Sequence, residues 1–121
     1  MKRLSGWAMV TALLSLSSFP AIAQVPIGDL RRDPGTTIAG TVRAVVGNEF
    51  ILDDGTGQVI VDAGPHWYHR VNIREGERLT VIGEYDDYDF DAFRIVRSNG
   101  EVIFIQSGEG PPPWAGERQR R

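Results

Sequence analysis

The chain has 121 residues, of which 13 are lysine or arginine and 16 are aspartate or glutamate, so its formal net charge is −3 at neutral pH. It contains no cysteine, which excludes disulfide bonds, thiolate metal sites and lipid attachment through a cysteine. An acidic balance of this kind also argues against a surface that coats nucleic-acid phosphates.

The N-terminus has the three regions of a secretory signal peptide. Lys2 and Arg3 are followed by an apolar run up to Leu16 and by a small-residue site, Ala-Ile-Ala, at 21–23. The apolar run is about half of the roughly 20 residues that a membrane-spanning helix needs. We therefore predict a periplasmic or secreted protein that is cleaved after Ala23, which leaves 11 cations against 16 acids and a net charge of −5.

The composition divides the rest of the chain into three parts. Residues 24–36 and 107–121 are rich in proline and glycine and are predicted to be flexible, solvated arms on either side of a domain at 37–106. The second arm reads Pro-Pro-Pro-Trp at 111–114, a phrase typical of polyproline II. This segment would dock into a partner's groove, fold back over the domain or remain disordered.

Within the domain, the alternation of apolar and polar residues predicts strands and no amphipathic helix of ordinary length. Gly40 lies inside the first strand and indicates a bend or bulge where that strand serves both halves of a closed sheet. Pro65 interrupts the pattern after the third strand and permits at most a short helical turn. In chain order, the predicted strands are 37–46, 49–53, 58–62, 78–84, 92–97 and 102–106.

This order of elements predicts an all-β fold. A three-stranded meander, a short connector turn in place of a long helix, a hairpin and an added C-terminal strand are typical of a five-stranded oligonucleotide/oligosaccharide-binding (OB) barrel. An SH3-like barrel or an open sheet is the structural alternative. A domain of this size buries only about 60% of its unfolded-chain surface, so we expect it to depend on large core residues. The predicted core residues are Phe50, Trp67, Phe93 and Phe104, together with the strand face of Ile38, Val42 and Ala44.

Three short sequence motifs in the predicted barrel resemble those of a known family. They are Gly-Thr-Val at 40–42, Asp-Asp-Gly-Thr-Gly at 53–57 followed by a Val-x-Val-Asp strand, and Leu-Thr-Val-Ile-Gly-Glu at 79–84. Because of these motifs, residues 38–97 resemble the bacterial OB-fold family of small periplasmic proteins linked to envelope stress tolerance. The resemblance implies an OB barrel that binds a ligand or a partner, and it implies no catalytic residues.

An acidic, aromatic loop is predicted at 85–91, where OB barrels clamp their ligands. Tyr85, Tyr88 and Phe90 are candidate stacking rings, and carboxylates surround them. These carboxylates repel phosphates, whereas rings beside carboxylates suit cations and hydroxyl groups. A small cationic or sugar-like ligand, or an envelope protein, is therefore a better expected partner than single-stranded nucleic acid. The predicted ligand-binding residues are Tyr85, Asp87, Tyr88 and Asp89, with Ile51 and Ile60 on the outer face of the second and third strands.

The acidic loop also resembles the start of a calcium-binding loop, because Asp87, Asp89 and Asp91 alternate along it. The match then fails, since Ala92 stands where the sharp turn needs glycine and Ser98 stands where a bidentate glutamate is needed. A solvated hairpin loop is the favoured interpretation.

A histidine pair leaves a zinc or copper site open as an alternative. His66 and His69 are three residues apart and could supply two nitrogen ligands, with Asp62 or a loop carboxylate as the third. The competing interpretation places both histidines at the rim of the barrel around a Trp67 plug. No cofactor is expected, and the absence of a Gly-x-Ser-x-Gly elbow or a cysteine nucleophile favours a non-enzymatic binding module.

Overall fold

The computed structural model describes residues 24–31 and 35–116, so the predicted signal peptide and residues 117–121 of the second arm lie outside the described residues. Within the described part, no helix has the length and apolarity to cross a membrane. The regular elements that lie entirely within the described residues are six strands and one short 3-10 helix, Ile27–Asp29. The strands are β1 (Thr36–Val46), β2 (Glu49–Asp53), β3 (Gln58–Asp62), β4 (Arg78–Tyr85), β5 (Phe90–Arg97) and β6 (Val102–Phe104).

Strand β1 is shared by the two halves of the barrel. Its first half pairs with β4 and its second half with β2, and the change of partner falls at Thr41, which faces both Asp53 and Arg78. At Gly40 the two backbones approach so closely that a β-carbon would lie 2.6 Å from the Asp53 carbonyl oxygen. The predicted bend at Gly40 is thus a close approach of two strands that requires glycine.

The barrel closes through a parallel pairing of β3 with β5, in which Val61 lies beside Phe90 and Asp62 lies beside Asp91. The strand order in the sheet is β3-β2-β1-β4-β5-β6, and β6 pairs with the second half of β5. Turns and irregular chain occupy the connector between β3 and β4. The predicted OB-like barrel with an added C-terminal strand and a short connector is confirmed.

Two β-bulges change which side chains face the core. The register of β1 shifts between Val42 and Ala44, and Phe93 is the extra residue of β5 opposite the step from Ile82 to Gly83 in β4. An extra residue reverses the alternation beyond it. The predictions that Ala44 and Phe93 belong to the core are therefore wrong, and both side chains are half-buried outside it.

The core is largely aliphatic, with two buried phenylalanines. Phe50 is 2% exposed, as predicted, and Phe90 is fully buried, so the prediction of Phe90 as a stacking ring is wrong. Trp67 and Phe104 were expected in the core, but they are 47% and 59% exposed. Trp67 lies in the turn after Pro65, and Phe104 lies on the short strand at the edge of the sheet. The barrel is instead filled by Ile38, Val42, Leu52, Val61, Val81, Ile95 and Ile105 around the two rings.

Part of the N-terminal segment, which was predicted to be a solvated arm, packs on the barrel. Ile27 is 5% exposed and belongs to the core cluster. Its N–H donates a 2.9 Å hydrogen bond to the Asp54 carboxylate, and the N–H of Gly28 donates a 3.0 Å bond to Thr56 Oγ1. Asp54 also accepts hydrogen bonds from the N–H and hydroxyl of Thr56. The Asp-Asp-Gly-Thr-Gly phrase is therefore both a hairpin turn and the anchor of the N-terminal 3-10 helix.

Candidate functional site

A cleft of about 490 Å³ opens at one end of the barrel. Its walls come from the β1–β2 turn, the chain after β3, the start of β5 and the C-terminal segment. In OB barrels this is the end at which the β1–β2 and β4–β5 loops hold oligonucleotides or oligosaccharides. We call it the acidic cleft, after its three lining carboxylates, Glu49, Asp62 and Asp91.

Asn48 builds this end of the barrel. It is 6% exposed, and its side-chain amide donates hydrogen bonds of 3.1 Å to the Gly64 carbonyl and 2.7 Å to the His69 carbonyl. Its Oδ1 accepts a 3.1 Å bond from the N–H of Val71. One side chain thus fixes the first half of the connector after β3 to the β1–β2 turn. Sequence reasoning missed this role, because an asparagine after a glycine signals only a turn, and its partners lie 16 to 23 residues away.

Three carboxylates meet beside the cleft. Asp62 ends β3 and Asp91 is the second residue of β5, and the parallel pairing of these strands sets the two side by side. Asp89, from the end of the acidic loop, joins them. One carboxylate oxygen from each residue lies within 4.8 Å of the other two, and all three side chains are half-buried. Sequence reasoning named these residues for separate sites, and the structure brings them into one cluster.

The electrostatics of this cluster oppose its own ionisation. Burial, together with the charges of Asp91, Asp86 and Asp62, raises the pKa of Asp89 to about 7. Burial and the charges of Asp86, Asp62 and Glu84 raise the pKa of Asp91 to about 6. Like charges held together at partly dehydrated positions disfavour the charged form, and a bound cation reverses this effect. Carboxyl groups perturbed in this way are enriched at functional sites.

The predicted binding loop is a tight turn closed by Asp86. Its Oδ1 accepts hydrogen bonds from the N–H groups of Tyr88 at 3.1 Å and Asp89 at 2.9 Å, and the Asp89 N–H is the main cause of a lowered pKa for Asp86. Asp87 occupies the left-handed backbone region at φ 77°. Asp87 and Tyr88 are exposed, whereas Tyr85 is half-buried against the core. Of the four predicted loop residues, Asp89 alone belongs to the carboxylate cluster.

The ring beside the cleft comes from the C-terminal segment rather than from the loop. Trp114 lines the acidic cleft and packs against the core cluster. Its ring lies so close to Gly64 that a β-carbon there would be 3.1 Å away, and its centroid lies 5.7 Å from that of Tyr68. Among the three alternatives for the Pro-Pro-Pro-Trp phrase, the structure shows the one in which the segment folds back over the barrel.

The histidine pair does not form a metal-binding group with Asp62. His66 lines the acidic cleft, whereas His69 does not, and the Nε2 atom of His69 is buried without a hydrogen-bond partner. Within residues 24–31 and 35–116, the one group of three or more possible metal-ligating side chains is that of Asp62, Asp89 and Asp91. Three carboxylate oxygens are ligands of the type preferred by calcium or magnesium rather than by zinc or copper.

An apolar shelf adjoins the cleft. Ile51 and Ile60, which were predicted to lie on the outer face of β2 and β3, are half-buried and 37% exposed respectively. With Ala44 they line a shallow pocket of about 150 Å³. Val46 and Glu49 line both this pocket and the acidic cleft. A ligand in the cleft can therefore extend an apolar portion over Ile51 and Ile60.

No family model, curated protein or solved structure matches this chain significantly. The resemblance to the bacterial OB-fold family therefore rests on the sequence motifs alone.

Proposed function

We propose that this protein is an exported OB-type binding module that takes a small organic cation, such as a polyamine, in the acidic cleft. The observation that carries the proposal is the cluster of Asp62, Asp89 and Asp91 beside a cleft at the end of the barrel where OB folds hold their ligands. No lysine or arginine of the described residues lines this cleft. The negative charge of the cleft therefore has no cation of its own within the described walls.

The surroundings of the carboxylates favour an organic cation with a hydrocarbon portion. An ammonium group near Asp62 and Asp91 would gain charge-assisted hydrogen bonds, and Trp114, which lines the same cleft, supplies an aromatic ring for a cation–π contact. Methylene groups of the same ligand can lie on the apolar shelf at Ile51 and Ile60. Phosphodiesters would meet only like charge here.

The location of this activity is part of the proposal. The pattern at 1–23 supports export, and the family resemblance supports a role in envelope stress tolerance. An envelope protein that presents a lysine side chain to the cleft would use the same chemistry.

Isothermal titration of the purified protein with spermidine at low salt tests the proposal. We expect saturable binding, which Asp91→Asn weakens about tenfold because one charged hydrogen-bonding partner is lost. The matched control is Glu75→Gln, which makes the same charge change at an exposed turn remote from the cleft and should leave the Kd within about twofold.

Three outcomes would overturn the proposal. Equal weakening by both variants would indicate unspecific attraction to an acidic protein. Binding of Ca²⁺ without binding of spermidine would assign the cluster to a hard metal ion. Binding of a neutral oligosaccharide such as maltotriose that Asp91→Asn leaves unchanged, in the absence of spermidine binding, would assign the cleft to sugars.

A further inference from the structure

A second cleft, of about 610 Å³, lies at the opposite end of the β4–β5 hairpin. Strand β4 begins at Arg78, directly after the cleft residue Glu77, and ends at Tyr85, where the acidic loop begins, roughly 23 Å away along the strand. The second cleft is lined by three arginines, Arg70, Arg74 and Arg97, and we call it the arginine cleft. Its walls are the connector after β3 and the turn between β5 and β6.

Arg97 is the structural member of this group. Its Nη1 donates to both oxygens of Glu77 at 2.7 and 2.9 Å, and its Nη2 donates to the Asn72 carbonyl at 2.6 Å. Its Nε lies 3.2 Å from Glu101 Oε1, an ionic contact without good hydrogen-bond geometry. Glu77 also accepts a hydrogen bond from the backbone N–H of Arg74. Both carboxylates of the cleft are therefore directed at Arg97.

Arg70 and Arg74 remain unneutralised. Within the described residues, neither guanidinium has a salt-bridge partner, and both residues are exposed at the cleft wall. The three arginines and two glutamates of the cleft leave a net positive charge there, in a chain whose overall charge is negative. Asn72 and Asn99 add amide side chains to the same walls.

We propose that the arginine cleft binds a phosphate group of a small molecule or a lipid headgroup. A planar guanidinium presents a fork of N–H donors that matches the oxygens of phosphate or carboxylate. A carboxylate offers two oxygens and one negative charge, whereas a phosphate monoester offers three terminal oxygens and a charge of about −1.5 to −2, so it can accept from Arg70, Arg74 and a neighbouring amide together. Because Glu77 and Glu101 are held by Arg97, they leave the two free guanidinium groups available.

The test is a titration of the full purified protein with glycerol 3-phosphate at low salt, with citrate and glycerol as comparison ligands. We expect glycerol 3-phosphate to bind more tightly than citrate, and glycerol not to bind. Arg70→Gln and Arg74→Gln should each raise the Kd for glycerol 3-phosphate five- to tenfold. Arg94→Gln, which removes the same charge from an exposed position on β5 outside the cleft, should change the Kd less than twofold. Circular dichroism of each variant reports whether the fold is kept.

A second arm distinguishes the source of the phosphate. Sedimentation with vesicles of phosphatidylglycerol and phosphatidylcholine that depends on Arg70 and Arg74 would assign the cleft to a lipid headgroup, and binding of glycerol 3-phosphate alone would assign it to a soluble ligand. Stronger binding of citrate, or equal weakening by Arg94→Gln, would overturn the proposal. Self-association of the protein that Arg70→Gln abolishes would also overturn it, because the cleft would then accept the acidic end of a second copy.

Discussion

The two ends of the barrel are built in the same way and charged in opposite ways. At the acidic end, the neutral amide of Asn48 holds the connector after β3 by hydrogen bonds. At the other end, the guanidinium of Arg97 holds the same connector to the C-terminal end of β5. Asp89 and Asp91 face further carboxylates at the acidic end, so their ionisation is disfavoured. At the arginine end Arg97 has carboxylate partners at short distance.

This difference separates structural charges from charges suited to binding. The Arg97 side chain is 18% exposed and its charge is compensated by Glu77, so removal of either partner would leave a mostly buried charge unpaired. The cluster around Asp91 lacks such compensation within the described cleft walls, so its charges are available to a ligand.

The largest loss of stability should follow from removing the ring of Phe90, which supports the acidic end. Phe90 begins β5, is fully buried and lies beside Val61 where the barrel closes. Phe90→Ala should lower the free energy of unfolding by about 3–5 kcal/mol, because it removes a large core side chain and leaves a cavity. Urea denaturation measures this change.

The matched control is Phe104→Ala on β6, where the ring is 59% exposed. We expect the free energy of unfolding to fall by less than about 1 kcal/mol, because this ring buries little apolar surface. Equal losses for the two variants would contradict the placement of Phe90 in the core.

A smaller effect should follow from removing the amide that fastens the connector. Asn48→Ala leaves the carbonyls of Gly64 and His69 and the N–H of Val71 without their partner. We expect the free energy of unfolding to fall by about 2–3 kcal/mol. Spermidine should also bind more weakly, because the wall of the acidic cleft is no longer held in place. Asn99→Ala, at the exposed β5–β6 turn, removes only the acceptor of one exposed hydrogen bond, from the N–H of Glu101, and should cost about 0.5–1 kcal/mol. If Asn48→Ala costs no more than Asn99→Ala in the same denaturation series, the connector is held by other contacts.

Local sequence patterns located all six strands but not the exact bounds of β1, β4, β5 and β6, and they did not predict the contacts between strands. Strands β2 and β3 have the predicted bounds, because period-two alternation and an Asp-Gly turn are local signals. Phe93 was placed wrongly because a bulge inserts one residue and reverses the alternation, and nothing local marks it. Asp62 and Asp91 meet only through the parallel register of β3 and β5. Each acid is visible in the sequence, but their adjacency is a property of barrel closure.

The smallest effect we expect is a pH dependence that belongs to the acidic end alone. Asp89 and Asp91, with pKa values of about 7 and about 6, bind protons more tightly in the folded chain than in the unfolded chain, where an aspartate has a pKa of about 3.9. The folded state therefore holds extra protons between about pH 4 and 7, and its stability falls as pH rises through that range. Asp53 and Asp86 act in the opposite sense, since their pKa values are lowered, and their contribution is lost only as pH falls below about 4.

The melting temperature should accordingly be several degrees higher at pH 5 than at pH 8. Asp91→Asn should flatten this profile, whereas Arg74→Gln at the other end should leave its slope unchanged. Saturating spermidine should raise the melting temperature more at pH 8 than at pH 5, because the cation stabilises the ionised carboxylates. A melting temperature that rises from pH 5 to pH 8 without ligand would show that these carboxylates are not in mutual repulsion, and the distinction between the two ends would fail.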